Sequence, residues 1–150
     1  MARTRAMSGQ AAQSAPLVHR LMRWTLRGVV SVHALDAFTQ AVLAGGFLNG
    51  NYDMLGVHRV NAIAGVVVLG YLQLVITVLY WRPFGGAAWP ILASAAISAA
   101  ESLQIVLCFD RSIAIHVPLG VAIIVATAML ASWAWRGSFG LRRRAHGRAA

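Results

Sequence analysis

Five histidines, four acids and one cysteine are the residues of this chain whose side chains could ligate a metal or move a proton. Two histidines stand in related settings. His58 lies in Gly56-Val57-His58-Arg59 and His116 in Ile115-His116-Val117-Pro118-Leu119-Gly120, each near the opening of a long apolar stretch. Ala62 and Gly65 follow His58 at i+4 and i+7, and Gly120 follows His116 at i+4, so each histidine shares a helix face with small residues. Two opposed imidazoles can supply both axial ligands of a haem iron, and small neighbours let a flat macrocycle approach the backbone. Either histidine alone reads as an interfacial or capping residue, and the small residues alone as close helix packing. The matched pair points to ligation.

A second polar set is deeper in the apolar stretches. His33, Asp36 and Gln40 fall at i, i+3 and i+7, one face of a helix, and Glu101 and Gln104 lie one turn apart on another. Polar groups in lipid are costly, so each needs a reason to be there. One reading is a proton or quinol path through Glu101, Asp36 and His33. The other, which the pattern favours, is a hydrogen-bonded seam between the first and third helices. His19 and His146 sit in basic flanks and are expected to be solvated. The lone Cys108 cannot form an internal disulfide. No Gly-rich phosphate loop, serine nucleophile motif or zinc-protease motif is present.

The elements that must position these residues follow from composition. The chain has 150 residues, 59% of them apolar and 11% charged, and its mean hydropathy is +0.66. A soluble domain carries about 25% charge and about 45–50% apolar residues. The apolar residues fall in four blocks: Val29–Leu48, Val60–Trp81, Ala87–Phe109 and Ile113–Trp135, of 20 to 23 residues each. Each can cross a hydrocarbon core of ~30 Å as a helix, the one open-ended conformation that satisfies its own backbone in lipid. The links are short: Gly50-Asn51-Tyr52-Asp53, Arg82-Pro83-Phe84-Gly85-Gly86 and Asp110-Arg111-Ser112. Short links predict an all-α, up-down-up-down four-helix membrane bundle, with helices two and four as diagonal partners. His58 and His116 then face each other at similar depth. No cysteine or third histidine accompanies them there, so zinc is the weaker fit.

Residues 1–27 are expected to form a basic arm with a short helix near Leu17–Trp24, residues 28–136 the membrane domain, and residues 137–150 a basic tail. All 13 basic residues are arginines. Eleven fall on the side of the termini and the Arg82 loop, and only Arg59 and Arg111 on the other. The excess places both termini in the cytoplasm of a multi-pass cell-membrane protein. Arg59 and Arg111 thereby flank the histidine pair from the outer face, where guanidinium groups suit haem propionates. Trp24, Trp81, Trp89, Trp133 and Trp135 gather at the opposite boundary as an aromatic belt. A cleaved signal peptide is the competing reading of the first span, but His33, Asp36 and Gln40 interrupt its apolar run. The net charge of +9 lies in flanks without aromatic platforms, so nucleic acid is not an expected partner.

At these residues the chain resembles one four-helix half of the haem A synthase family. The resemblance rests on the Gly56-Val57-His58-Arg59 segment and on Ser102-Leu103-Gln104 leading through Asp110 to Ile115-His116-Val117-Pro118-Leu119-Gly120, and it spans roughly residues 29–135. It implies that His58 and His116 ligate a b-type haem. Two departures stand out. The sequence holds four spans where the family carries eight, and Leu55 occupies the position of a family glutamate. Both point away from oxygen-dependent conversion of haem O to haem A and towards a single-bundle haem-binding relative.

The expected function is a bis-histidine haem b protein near the outer face that transfers electrons or handles haem, with His58, His116, Arg59, Arg111, Gly65 and Gly120 as its site. Six-coordinate iron has no open position for oxygen, which leans away from an enzyme; turnover, if present, would belong to a haem- or quinone-linked oxidoreductase. The alternative is a cofactor-free bundle serving as a subunit or assembly partner of a larger membrane complex. Expected partners are the lipid bilayer, a membrane redox partner or quinone, and a second copy in a homodimer. The arginine asymmetry is checked by reporter fusions at Ala150: only a cytoplasmic reporter is expected to be active, and an active periplasmic-type reporter would reverse the topology.

Overall fold

A computed structural model describes residues 2–84 and 87–136, with side chains from Leu17 onward. Helix α1 runs Ala2–Leu48 and α2 Asp53–Asn61; a π-helical segment, Ala62–Val67, leads into α3, Val68–Phe84; α4 is Trp89–Phe109 and α5 Ile113–Trp135. α2, the π segment and α3 follow one another without a break, so four stretches are long and apolar enough to cross a membrane: Leu17–Leu48, Asp53–Phe84, Trp89–Phe109 and Ile113–Trp135. The protein is an all-α four-helix bundle.

Each crossing packs on its neighbours in sequence, and α5 closes the ring against α1. The diagonals are therefore α1 with α4, and the α2–α3 crossing with α5. One end of the bundle carries the two hairpin turns at residues 49–52 and 110–112; the other carries the remaining turn and the outer ends of the first and last crossings.

The first two crossings are 32 residues each, longer than the apolar blocks suggested. At 1.5 Å per residue they span ~48 Å, enough to pass beyond a hydrocarbon core of ~30 Å. The boundary expected after residue 27 cuts through α1. Leu26 is fully buried, and the Arg27 Nε donates to the Ala134 carbonyl at 3.0 Å, satisfying a backbone oxygen at the end of α5. Its guanidinium lies against the edge-to-face pair of Trp24 and Trp135, at 5.1 and 5.0 Å from the ring centroids. Charge at Arg27 therefore marks a packed bundle end rather than a free arm. His19, expected to be solvated, bonds the Tyr80 hydroxyl at 2.9 Å and meets the Phe84 ring edge-on. The 137–150 tail with His146 lies outside the described residues.

The distribution of polarity is inverted. Leu35, Phe38, Leu92 and Met129 point outward, while His33, Gln73, Ser94, Ser98, Glu101 and Thr127 are buried. An exterior this apolar is solvated by lipid rather than water.

Both hairpin turns end the preceding helix by the same hydrogen-bond pattern. In the first, Asn51 N–H donates to Gly46 O and Gly50 N–H to Phe47 O, with Gly50 at φ 95°. In the second, Ser112 N–H donates to Leu107 O and Arg111 N–H to Cys108 O, with Arg111 at φ 55°. These are Schellman closures, which need a left-handed residue and usually place glycine there. Arg111 carries a side chain where it costs about 1 kcal/mol. Arg111→Gly is expected to raise thermal stability in detergent by that order; a lowered unfolding midpoint would mean that the guanidinium makes a stabilising contact larger than the backbone strain.

Candidate functional site

Two diagonal contacts cross the bundle at different depths. The one nearer the hairpin turns joins the α2–α3 crossing to α5. His58 and His116 face each other with ring centroids 6.4 Å apart and planes inclined by 56°. His58 Nδ1 lies 3.1 Å from the Gln40 backbone carbonyl of α1, and His116 Nδ1 donates to the Gln104 backbone carbonyl of α4 at 3.2 Å. Each hairpin thus uses its descending helix to orient the histidine of its ascending one. A proton held at His116 Nδ1 leaves its Nε2 as the nitrogen with a free lone pair. Histidines that bind metal are commonly oriented by this type of bond.

Further side chains fix the His58 turn. In the one amide orientation that satisfies both its ends, Gln40 donates to the His58 carbonyl at 3.2 Å and to His58 Nδ1 at 2.8 Å, and accepts from the Ala62 N–H at 2.9 Å and the Asn61 amide at 2.8 Å. Asn61 also donates to Asp36 Oδ1 at 3.0 Å. The π segment begins where this network joins α2, and π turns are frequent at functional sites.

Between the histidines and the bundle interior lies a cleft of about 340 Å³. Small residues (Ala41, Ala44, Ala62, Gly120) and the apolar Val66 and Ile124 line much of it; His58, His116, Gln104 and Glu101 supply its polar groups. Arg59 lies at its edge, 6.0 Å from the Phe109 ring centroid, and is exposed. Four of the six expected site residues (His58, His116, Arg59 and Gly120) therefore line one cavity.

The other two do not. Gly65 faces α1: a Cβ there would collide with Asp36 Oδ2 and Asn61 Oδ1. Its smallness accommodates the Asp36–Asn61 pair, so spacing on one helix identified a small residue correctly but assigned it the wrong neighbour. Arg111 is exposed in the turn and contributes nothing to the cavity lining.

The second diagonal joins α1 to α4. His33 is fully buried, its Nδ1 2.9 Å from Gln73 Oε1 and its Nε2 2.7 Å from Glu101 Oε1. Gln73 in turn donates to Ser94 Oγ at 3.3 Å. The expected seam between the first and third crossings is present as the His33–Glu101 contact, while Asp36 binds Asn61 of α2. Gln73 and Asn61 were missed. The available signal was a lone amide inside an apolar run, which in lipid requires a partner as much as a charge does.

Both His33 nitrogens are engaged by side chains, so His33 is not available as a ligand. Among the described residues, no group of three or more His, Cys, Asp or Glu side chains is placed to hold a metal ion. The outer pair offers two nitrogens, the number needed by a metal whose other four ligands come from a macrocycle.

The contrast between the two glycines can be measured. Gly65→Ala drives a methyl into a half-buried hydrogen-bonded pair and should cost about 1–3 kcal/mol. Gly120→Ala meets only the end of the flexible Gln104 side chain and should cost less than about 1 kcal/mol. Thermal unfolding in detergent decides; equal losses would refute the assignment of Gly65 to the Asp36–Asn61 pair. Comparison with family models, with curated proteins and with solved structures finds no match.

Proposed function

We propose that this chain is an integral membrane haem b protein with His58 and His116 as the axial ligands, placed near the outer face with both termini cytoplasmic. One observation carries the proposal: two carbonyl-oriented imidazoles oppose each other across a bundle diagonal at a ring separation of 6.4 Å. Imidazoles bound trans to one metal through bonds of about 2 Å have centroids about 6 Å apart. The cleft's small and apolar lining suits a flat, mostly apolar ligand. The resemblance to one bundle of the haem A synthase family supports the same pair.

The bound group would supply a one-electron couple, and the protein's residues do the rest. His58 and His116 would hold the metal, and the Gln40 and Gln104 carbonyls beside their Nδ1 atoms orient the two rings. Arg59 stands at the cavity edge, where a haem carboxylate would emerge. Arg111 is not part of the cavity lining, so Arg59 is assigned the larger share of that contact. Electron transfer or haem handling is the activity this arrangement supports, and a quinone or another membrane redox protein is the class of partner it suits.

The test is spectroscopic. His58→Ala and His116→Ala should each abolish the six-coordinate low-spin spectrum, and the double variant should lose little more, because the two bonds belong to one site. Arg59→Ala should keep the spectrum and weaken retention by about 1–3 kcal/mol. His33→Ala should leave the low-spin bands in place in the protein that folds. If neither outer histidine matters and the protein stays colourless when made with ample haem, a cofactor-free subunit of a larger membrane complex becomes the better account.

A further inference from the structure

Glu101 is 2% exposed and lines the same cavity as His58 and His116. Its Oε1 bonds His33; its Oε2 is buried and has no hydrogen-bond partner, and the neighbouring Ser98 Oγ is in the same condition. Gly70 on α3 leaves the space this carboxylate occupies, since a Cβ there would collide with Oε2. A buried acceptor without a donor is costly in any medium and more so in a membrane protein. A proton on Oε2 would turn that orphan acceptor into a donor.

The hydrogen-bond geometry limits where protons reside. Gln73 turns its NH2 to Ser94, so its oxygen faces the ring and His33 Nδ1 donates to it. The bond from Nε2 to Glu101 Oε1 then contains one proton, carried either by the ring or by the carboxyl, and the pair is neutral in both forms. One additional proton on Glu101 Oε2 makes the pair a singly charged cation.

Resting on the haem reading above, we propose that Glu101, held by His33, is the proton acceptor that couples electron arrival at the His58–His116 site to proton uptake. One electron from a one-electron donor adds one negative charge to the cavity. One proton from solvent, binding Glu101 Oε2 with no bond broken elsewhere, restores the site's charge. The surrounding elements supply few competitors. α1 contributes His33 and Asp36, the latter bonded to Asn61 through Oδ1; α2 contributes His58 and the edge residue Arg59; α4 contributes Glu101 itself; α5 contributes His116. α3 presents the neutral Gln73 and Thr77. Asp36 Oδ2 is likewise buried without a partner, but Asp36 does not line the cavity; Glu101 alone among the acids both lines it and holds an unpartnered oxygen, directed at Gly70 of α3.

The experiment is a redox titration of the full-length, haem-loaded protein in detergent at several pH values across the neutral range. Uptake of one proton per electron makes the reduction equilibrium tenfold less favourable per unit rise in pH, about 59 mV for a one-electron couple. The unaltered protein should approach that slope. Glu101→Gln should keep the low-spin spectrum and lose most of the slope, Glu101→Asp should restore part of it, and Asp36→Asn should retain it. An unaltered slope in Glu101→Gln, or a flat response in the unaltered protein, overturns the assignment. The reduced-minus-oxidised infrared difference spectrum of the unaltered protein tests it without a variant: a protonated carboxyl band must appear on reduction, and its absence overturns the proposal. A protein that binds no haem removes the haem reading and this proposal together, whereas a coloured protein with a flat slope removes only the proposal.

Discussion

Lipid offers no hydrogen bonds, and that constraint organises the molecule. Every polar side chain that enters the apolar crossings must find its partner inside the bundle. A four-helix ring has two diagonals, and this chain uses both. His33 meets Glu101 across one, and His58 meets His116 across the other. In the inner contact side chains engage both His33 nitrogens, while one Glu101 oxygen is left without a partner. The outer contact is oriented by backbone carbonyls and leaves one nitrogen of each ring uncommitted. The same physics therefore yields a side-chain crosslink at one depth and a pair of opposed histidines at another.

The two hairpins reach this arrangement by parallel means. Each closes its turn with a left-handed residue, Gly50 or Arg111, and each directs a histidine's Nδ1 onto the carbonyl of a glutamine on the preceding helix. The glutamine side chains then diverge. Gln40 engages the start of the π segment, while Gln104 points along the cavity with a buried oxygen that lacks a partner. Small residues let the helices come close enough for these contacts, Gly70 beneath Glu101 and Gly65 beneath Asp36.

Much of the fold was legible from the length of the apolar blocks and the shortness of their links, because those quantities alone decide how many helices cross and in which order. The diagonal relation of the second and fourth crossings followed, and with it the approach of His58 to His116. The continuation of α1 past Arg27 was not legible. Arg27 was read as part of a basic arm, whereas its contact with Trp135 and its bond to the end of α5 come from residues over a hundred positions away. Helix-face spacing likewise placed Gly65 and Gly120 correctly on their own helices. It could not say that one meets Asp36 and the other the cavity, since the neighbour depends on helix rotation. The internal likeness of the two hairpins also escaped the sequence, because backbone carbonyls and turn conformations leave no residue pattern to match.

The central claim is that the outer histidines are a ligand pair for one haem. Electron paramagnetic resonance of the oxidised, full-length protein, purified with its haem content measured, addresses it most directly. One haem per chain with a low-spin ferric signal of bis-histidine type is the expected result. A protein that remains haem-free when haem is supplied, or one whose haem is predominantly high-spin, would contradict it.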